Sequence, residues 1–170
     1  FERLRALSMP TVSAINGVAA GAGMSLALSA DIKLMGQSAF FLQAFARIGL
    51  VPDCGSSWIL PRLIGVARAL ELSLLAERLP AEKAGAWGLV NQVLPDAELA
   101  AAARAMAERL ANGPSSLGLI RRMYWDGLEN DYSTQLQLEA DLQKQAGLSA
   151  DHAEGVAAFR EKREARFGGR

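Results

Sequence analysis

Pro10-Thr11-Val12-Ser13-Ala14-Ile15-Asn16-Gly17-Val18-Ala19-Ala20-Gly21-Ala22-Gly23-Met24-Ser25 is the stretch on which the fold turns. Thr11 to Ile15 is a short, largely apolar run closed by Asn16-Gly17, which reads as a buried strand. The glycines follow that strand and open a helix, because Met24 to Ser29 has helix-forming composition. Glycine at such a junction often supplies nothing more than permissive backbone geometry. A dinucleotide fingerprint fails, since after Gly21 and Gly23 the third glycine position is Leu26. A phosphate loop fails too, since no Gly-Lys-Ser/Thr follows. What remains is a helix N-terminus with free N–H groups and the positive end of the dipole, a geometry that suits an oxyanion.

Working outward, Asp31 to Gly36 alternates polar and apolar residues at period two and reads as a strand. A helix is expected to begin over Gly55 to Leu60, another over Ala67 to Ala76, and a third over Ala81 to Trp87 between Pro80 and Gly88. Val90 to Leu94 is a short strand. Strands alternating with helices argue α/β with a mostly parallel sheet. From Pro95 onward the composition shifts to Ala, Leu, Glu, Arg and Gln at helical spacing. Asp96 is expected to cap a helix running toward Asn112-Gly113-Pro114, with further helices over Ser115 to Leu128 and Ser133 to Ala146. The last begins at Asp151, with Glu154 three residues on as in a capping box, and runs toward Arg166. No repeat and no low-complexity linker interrupts this, so one domain with a helical end is expected. Phe1 to Leu7 reads as the tail of a helix, without an initiating methionine or a signal-peptide pattern, so a segment upstream is expected.

Bulk properties narrow the function. The 170 residues are 51% hydrophobic and 21% charged, ordinary for a soluble domain with a real core. Eighteen basic residues balance eighteen acidic ones, which removes the broad basic field of a nucleic-acid binder. No apolar run approaches the roughly 20 residues that span a bilayer, so no membrane role is expected. The single cysteine, Cys54, rules out an internal disulfide framework and fits a reducing, cytoplasmic setting. One histidine and one cysteine offer no metal-ligand cluster. A nucleophilic Ser25 would need His152 as its base, and the capping pattern around His152 already accounts for that residue.

Ile48-Gly49-Leu50-Val51-Pro52-Asp53-Cys54-Gly55-Ser56-Ser57-Trp58 sets a carboxylate in an apolar stretch. Asp53 reads either as a turn residue capping the helix that follows or as an acid–base group in a water-poor pocket among Leu50, Val51, Pro52 and Trp58. Cys54 reads as a small buried filler rather than a reactive thiol.

Together, and in this order, these segments resemble the crotonase (enoyl-CoA hydratase/isomerase) superfamily. The likeness runs from Pro10 through Gly23, then Ala30-Asp31-Ile32, then Gly49 through Gly55. It continues in Leu60-Pro61-Arg62-Leu63-Ile64-Gly65, in Trp87-Gly88-Leu89-Val90, and in Ala158-Phe159-Arg160-Glu161-Lys162-Arg163. The resemblance implies an α/β, crotonase-like spiral of ββα units with a C-terminal helical region and with the family's N-terminal part absent. Residues 1–95 would be the C-terminal part of the spiral core. Residues 96–170 would be a helical trimerisation and CoA-capping region of the same structural domain.

The resemblance also assigns roles. The backbone N–H of Ala22 would be one oxyanion donor, the other lying in the absent N-terminal part. Ala20, Gly21, Gly23, Ser25, Phe45, Val51 and Pro52 would line the substrate, while Phe159 and Lys162 would meet the CoA nucleotide. Hydratases of the family use two glutamates to activate water, and Ser25 and Phe45 stand at those positions. Asp53 stands where certain isomerases place their catalytic aspartate, notably those of bacterial phenylacetate breakdown, which act on ring-epoxidised phenylacetyl-CoA and shift 3-enoyl to 2-enoyl double bonds. An acyl-CoA isomerase with Asp53 as the acid/base is therefore expected, with no cofactor beyond the coenzyme A of the substrate and a homotrimer or hexamer as the assembly. A hydratase, an aroyl-CoA dehalogenase-like enzyme with Asp53 as nucleophile, and a non-enzymatic CoA-binding member stay open beside it.

Overall fold

The computed structural model of the chain describes residues 1–169. It has two compact units, Phe1–Leu4 with Thr11–Ala105, and Arg5–Pro10 with Met106 onward. The division falls within a helix at 105, ten residues past the change of composition at Pro95.

The first unit opens with part of the one-turn helix α1 (Glu2–Arg5) and then runs as a spiral. Strand β1 (Val12–Ile15) and strand β2 (Val18–Ala20) lead into helix α2 (Ala22–Leu28). Strands β3 (Ile32–Gly36) and β4 (Phe40–Leu42) lead through a 3-10 turn (Ala44–Ile48) into helix α3 (Ser56–Leu75). Strand β5 (Arg78–Pro80), helix α4 (Ala81–Ala86), strand β6 (Gln92–Leu94) and helix α5 (Asp96–Ala111) complete the winding. Each pass lays strands into two sheets. One has the order β1-β3-β6 and is wholly parallel, with Val12 beside Ile32 and Met35 beside Val93. The other has the order β2-β4-β5, parallel between β2 and β4 and antiparallel between β4 and β5. A parallel neighbour requires a crossover, and the β2–α2 segment supplies the one between β1 and β3.

Side-chain bonds pin this register. The Asp31 carboxylate accepts from both the N–H and the hydroxyl of Thr11, at 2.7 and 2.8 Å, clamping the starts of β1 and β3. Asn91 joins β3 at both its side-chain oxygen, which takes the Lys33 N–H, and its own N–H, which goes to the Lys33 carbonyl. Met24, Leu28, Leu34, Met35, Phe41 and Leu89 have no solvent exposure and form the core. Each contributes about 1.5–3 kcal/mol in burial.

The sequence reading missed β2, β4 and β5. Three residues are too few to display an alternating pattern, so only their hydrogen bonds reveal them. Asp96 is the first residue of α5, and its carboxylate accepts from Ser38 N–H at 3.1 Å rather than from its own helix. The two helices expected on either side of Gly65 form one element interrupted there, where φ 77 and ψ 160 break the helical run.

The second unit carries the end of α5 and helices α6 (Ser116–Gly127), α7 (Tyr132–Gly147) and α8 (Ala150–Glu161). The expected capping box at Asp151 and Glu154 is wrong. Ser149 caps α8 by accepting from His152 N–H at 3.1 Å. Asp151 is 4% exposed and accepts from Ser115 and Gly168 N–H groups instead, at 2.7 and 2.9 Å. Glu154 is engaged by the Arg163 guanidinium at 2.6 and 2.9 Å and by Arg166 N–H at 2.8 Å. Those bonds need the chain to turn back, so α8 stops at Glu161, with Lys162 in the left-handed region at φ 54.

The Arg163 hydrogen bonds, followed by that of Arg166, hold the Glu154 carboxyl down to about 2, from 4.5. A carboxyl depressed in the folded state stabilises above its unfolded pKa and loses that stabilisation as pH falls toward its folded value. Acid titration is therefore expected to loosen the segment after Lys162 between about pH 4.5 and 2. Hydrogen exchange at the Arg166 amide would follow it, and Arg163→Met should shift the opening to higher pH.

Candidate active site

The site grows from the glycine turn. Gly21 has φ 51 and ψ −123, a conformation that favours glycine. Its N–H donates to the Leu42 carbonyl at 2.9 Å, which ties the turn to the end of β4. Its carbonyl accepts the Ser25 N–H at 3.1 Å, the first bond of α2. Ala22 is thus the first helical residue, and Gly21 brings no side chain to cap it. N–H groups in a helix's first turn have no acceptor within the helix, so that of Ala22 is available to an external oxygen. Ala22 and Gly23 are exposed, while Ala20 is half-buried. The Phe45 ring, 8% exposed, packs against Gly21, with Cζ 3.5 Å from where a β-carbon would stand.

Asp53 belongs to the irregular segment between the 3-10 turn and α3. Gly49, Cys54 and Gly55 all have positive φ there, at 71, 53 and 79. The expected water-poor pocket is not what the chain forms. Asp53 is exposed, and its apolar neighbours Leu50 and Val51 are 58% and 79% exposed. Connecting segments stay at the surface because burial would orphan their backbone groups. Nor does the Asp53 side chain cap α3, whose N-cap is Gly55. The Asp53 carbonyl does the anchoring. It accepts from Ser56 N–H at 3.0 Å, from the Ser56 hydroxyl at 2.9 Å, and from the Ser25 hydroxyl at 3.4 Å. Cys54 is half-buried, not a buried filler, and its bond to the Asp53 carboxylate holds its thiol above the ordinary range. A thiol kept protonated is a poor nucleophile.

Ser25 is 1% exposed, with its hydroxyl between main-chain carbonyls, which leaves no place for a serine nucleophile. Ser25 links the Gly21 turn to the Asp53 segment, and the Phe45 ring packs on that same turn. Pro52 beside them is half-buried. Phe159, 86% exposed, and Lys162 lie at the end of α8 in the second unit. That unit also holds an open groove of about 1070 Å³, lined by Leu119, Met123, Leu136 and Phe167 among others. No group of three or more His, Cys, Asp or Glu among the described residues is placed to hold a metal, and no helix among them is long and apolar enough to cross a membrane. Two residues were missed by the sequence reading. Ser56 carries no signal beyond a helix start, and Gln43 is fully buried at the head of the 3-10 turn with an amide that has no partner among the described residues.

Residues 1–170 match the model of a family described as Enoyl-CoA hydratase/isomerase. Among the relatives, 1,2-epoxyphenylacetyl-CoA isomerase of Escherichia coli is 48% identical over 170 residues, 99% of this chain and 65% of that protein. A probable enoyl-CoA hydratase of Rhodobacter capsulatus is also 48% identical, over 100% of this chain and 66% of its own. The crystal structure of a putative enoyl-CoA hydratase/isomerase from Mycobacterium abscessus superposes with a TM-score of 0.96 at 40% identity, covering 99% of this chain and 65% of that one. The chain thus spans about two thirds of the length of the proteins it matches.

Proposed function

This chain belongs to the enoyl-CoA hydratase/isomerase family and has its crotonase-like fold, and from that premise we propose that it acts as an acyl-CoA thioester isomerase with Asp53 as its proton shuttle. The observation that carries the reading is the join between the α2 N-terminus and the Asp53 segment at Ser25. It ties the main chain of the segment that carries Asp53 to the turn that precedes Ala22, while positions 25 and 45 hold a buried serine and a phenyl ring. Neither of those can activate water for hydration.

The mechanism follows from these parts. The thioester carbonyl oxygen accepts the Ala22 N–H, which stabilises the negative charge that gathers there as an enolate forms. Asp53 takes a proton from one carbon, and the electron pair moves into the enolate. As the double bond settles in its new place, the same carboxyl returns a proton at another carbon. One group suffices because an isomerisation has no net proton change. The exposed Val51 and half-buried Pro52 offer apolar surface to an acyl group. Phe159 and Lys162, aromatic and cationic, have the chemistry to meet a nucleotide. The 48% identity to a 1,2-epoxyphenylacetyl-CoA isomerase supports a ring-epoxide substrate.

Equal identity to a probable hydratase favours a second reading, and one assay separates the two. Intact protein is incubated with 3-enoyl-CoA and, separately, 2-enoyl-CoA. Isomerisation predicts conversion of the 3-enoyl to the 2-enoyl compound. Build-up of 3-hydroxyacyl-CoA from the 2-enoyl compound would make it a hydratase. An ester adduct on Asp53, visible by mass, would instead mark it as a nucleophile.

A further inference from the structure

Ser25 has no role in the proton transfer just described, yet its position is unusual. Its hydroxyl lies 3.3 Å from the Gly21 carbonyl oxygen and 3.4 Å from that of Asp53. A hydroxyl has one proton, so it serves one of these acceptors at a time or divides between both. Neither acceptor depends on it. The Gly21 carbonyl already receives the Ser25 N–H at 3.1 Å, and the Asp53 carbonyl already receives both the N–H and the hydroxyl of Ser56. Alanine at position 25 would orphan no carbonyl, so the fold's own needs do not account for a hydroxyl that is 1% exposed. What it does is bridge the two working parts of the site. Gly21 sets the direction of the Ala22 N–H, and Asp53 carries the carboxylate.

We propose that Ser25 is a positioning residue whose hydroxyl ties the Gly21 turn to the Asp53 segment and so sets the spacing between oxyanion donor and proton shuttle. Ser56 grips the same Asp53 carbonyl from the start of α3, so the Asp53 main chain is held from two helices. With Ser56 alone, the Asp53 segment keeps its link to α3 but loses its link to α2. This inference rests on the isomerase reading. In that reaction one carboxyl must reach two carbons while the thioester oxygen stays on its donor. A displacement of about 1 Å at such a site can cost roughly 10²-fold. Return of the proton to the more distant carbon should suffer most.

The test compares intact wild type, Ser25→Ala and Asp53→Asn with 3-enoyl-CoA in deuterated water. For Ser25→Ala, kcat is expected to fall about tenfold, with acyl-CoA affinity kept. The deciding readout is the number of deuterons exchanged per isomerisation. A displaced shuttle still removes protons but returns them poorly to the far carbon, so the ratio should rise several-fold. Partial misfolding lowers exchange and isomerisation alike and leaves the ratio fixed. An unchanged ratio, whatever happens to kcat, would overturn the role of Ser25. Should Asp53→Asn isomerise normally, Asp53 is not the shuttle and the reading on which this inference rests fails; an inactive Asp53→Asn beside an unchanged Ser25→Ala ratio defeats this inference alone.

Discussion

Asp53→Asn is expected to lower kcat for double-bond migration by about 10²–10⁴-fold, the contribution typical of a positioned acid–base group. Acyl-CoA affinity and folding should hardly change, because the groups that anchor the segment bind the Asp53 carbonyl and not its carboxylate. Asparagine keeps that carbonyl and the side-chain shape. It removes only the charge that abstracts the proton. A companion effect reports that the substitution acted locally. The Cys54 thiol, now held above its ordinary pKa mainly by its bond to the Asp53 carboxylate, should titrate lower and alkylate faster near neutral pH. Steady-state kinetics and a thiol-alkylation rate check both. Wild-type turnover in the variant would remove Asp53 from the chemistry.

Ala22→Pro should strike the other half of the site. Proline is tolerated at the first position of a helix, where the missing N–H has no acceptor within the helix. Ala22 holds that position in α2 and is exposed, so a pyrrolidine ring has room. Gly21 before it has the freedom that a residue preceding proline needs. The substitution deletes one donor and little else. Losing a single oxyanion donor costs about 10²–10³-fold in kcat, or about 2.7–4 kcal/mol of transition-state stabilisation. Circular dichroism and the thermal midpoint should stay close to wild type. A variant with intact kcat would show that no charge develops against that N–H.

The fold was legible wherever the chain offers enough residues to display a period or a stop signal. The β1 run, the alternation through β3, the Pro80–Gly88 bracket around α4 and the long C-terminal helices all do so. Strands β2, β4 and β5 have three residues apiece and owe their identity to hydrogen bonds with strands distant in sequence, which no local pattern reports. The cap of α8 was misread because two carboxylates at capping-box spacing hid Ser149, and because Arg163, which recruits Glu154, approaches from beyond the helix. At the site, the order of the motifs made Gly21, Ala22 and Asp53 visible. Asp53's surroundings were not. Leu50 and Val51 suggest a pocket by their apolarity, but a surface connection turns them outward. Nor could spacing reveal that two buried serines, one on α2 and one on α3, meet at a single carbonyl.

Solvent deuterium exchange into acyl-CoA tests the union of Ala22 and Asp53 most directly, because it reads enolate formation whatever product follows. With intact protein in deuterated water, 3-enoyl-CoA should lose a proton from carbon 2 and emerge as the 2-enoyl isomer with deuterium at carbon 4, where an Asp53 carboxyl exchanged with solvent returns it. Asp53→Asn should abolish that exchange while still binding the thioester. Exchange that persists in Asp53→Asn, or wild type that binds the thioester and neither exchanges nor isomerises it, would contradict an enolate held at Ala22 and served by Asp53.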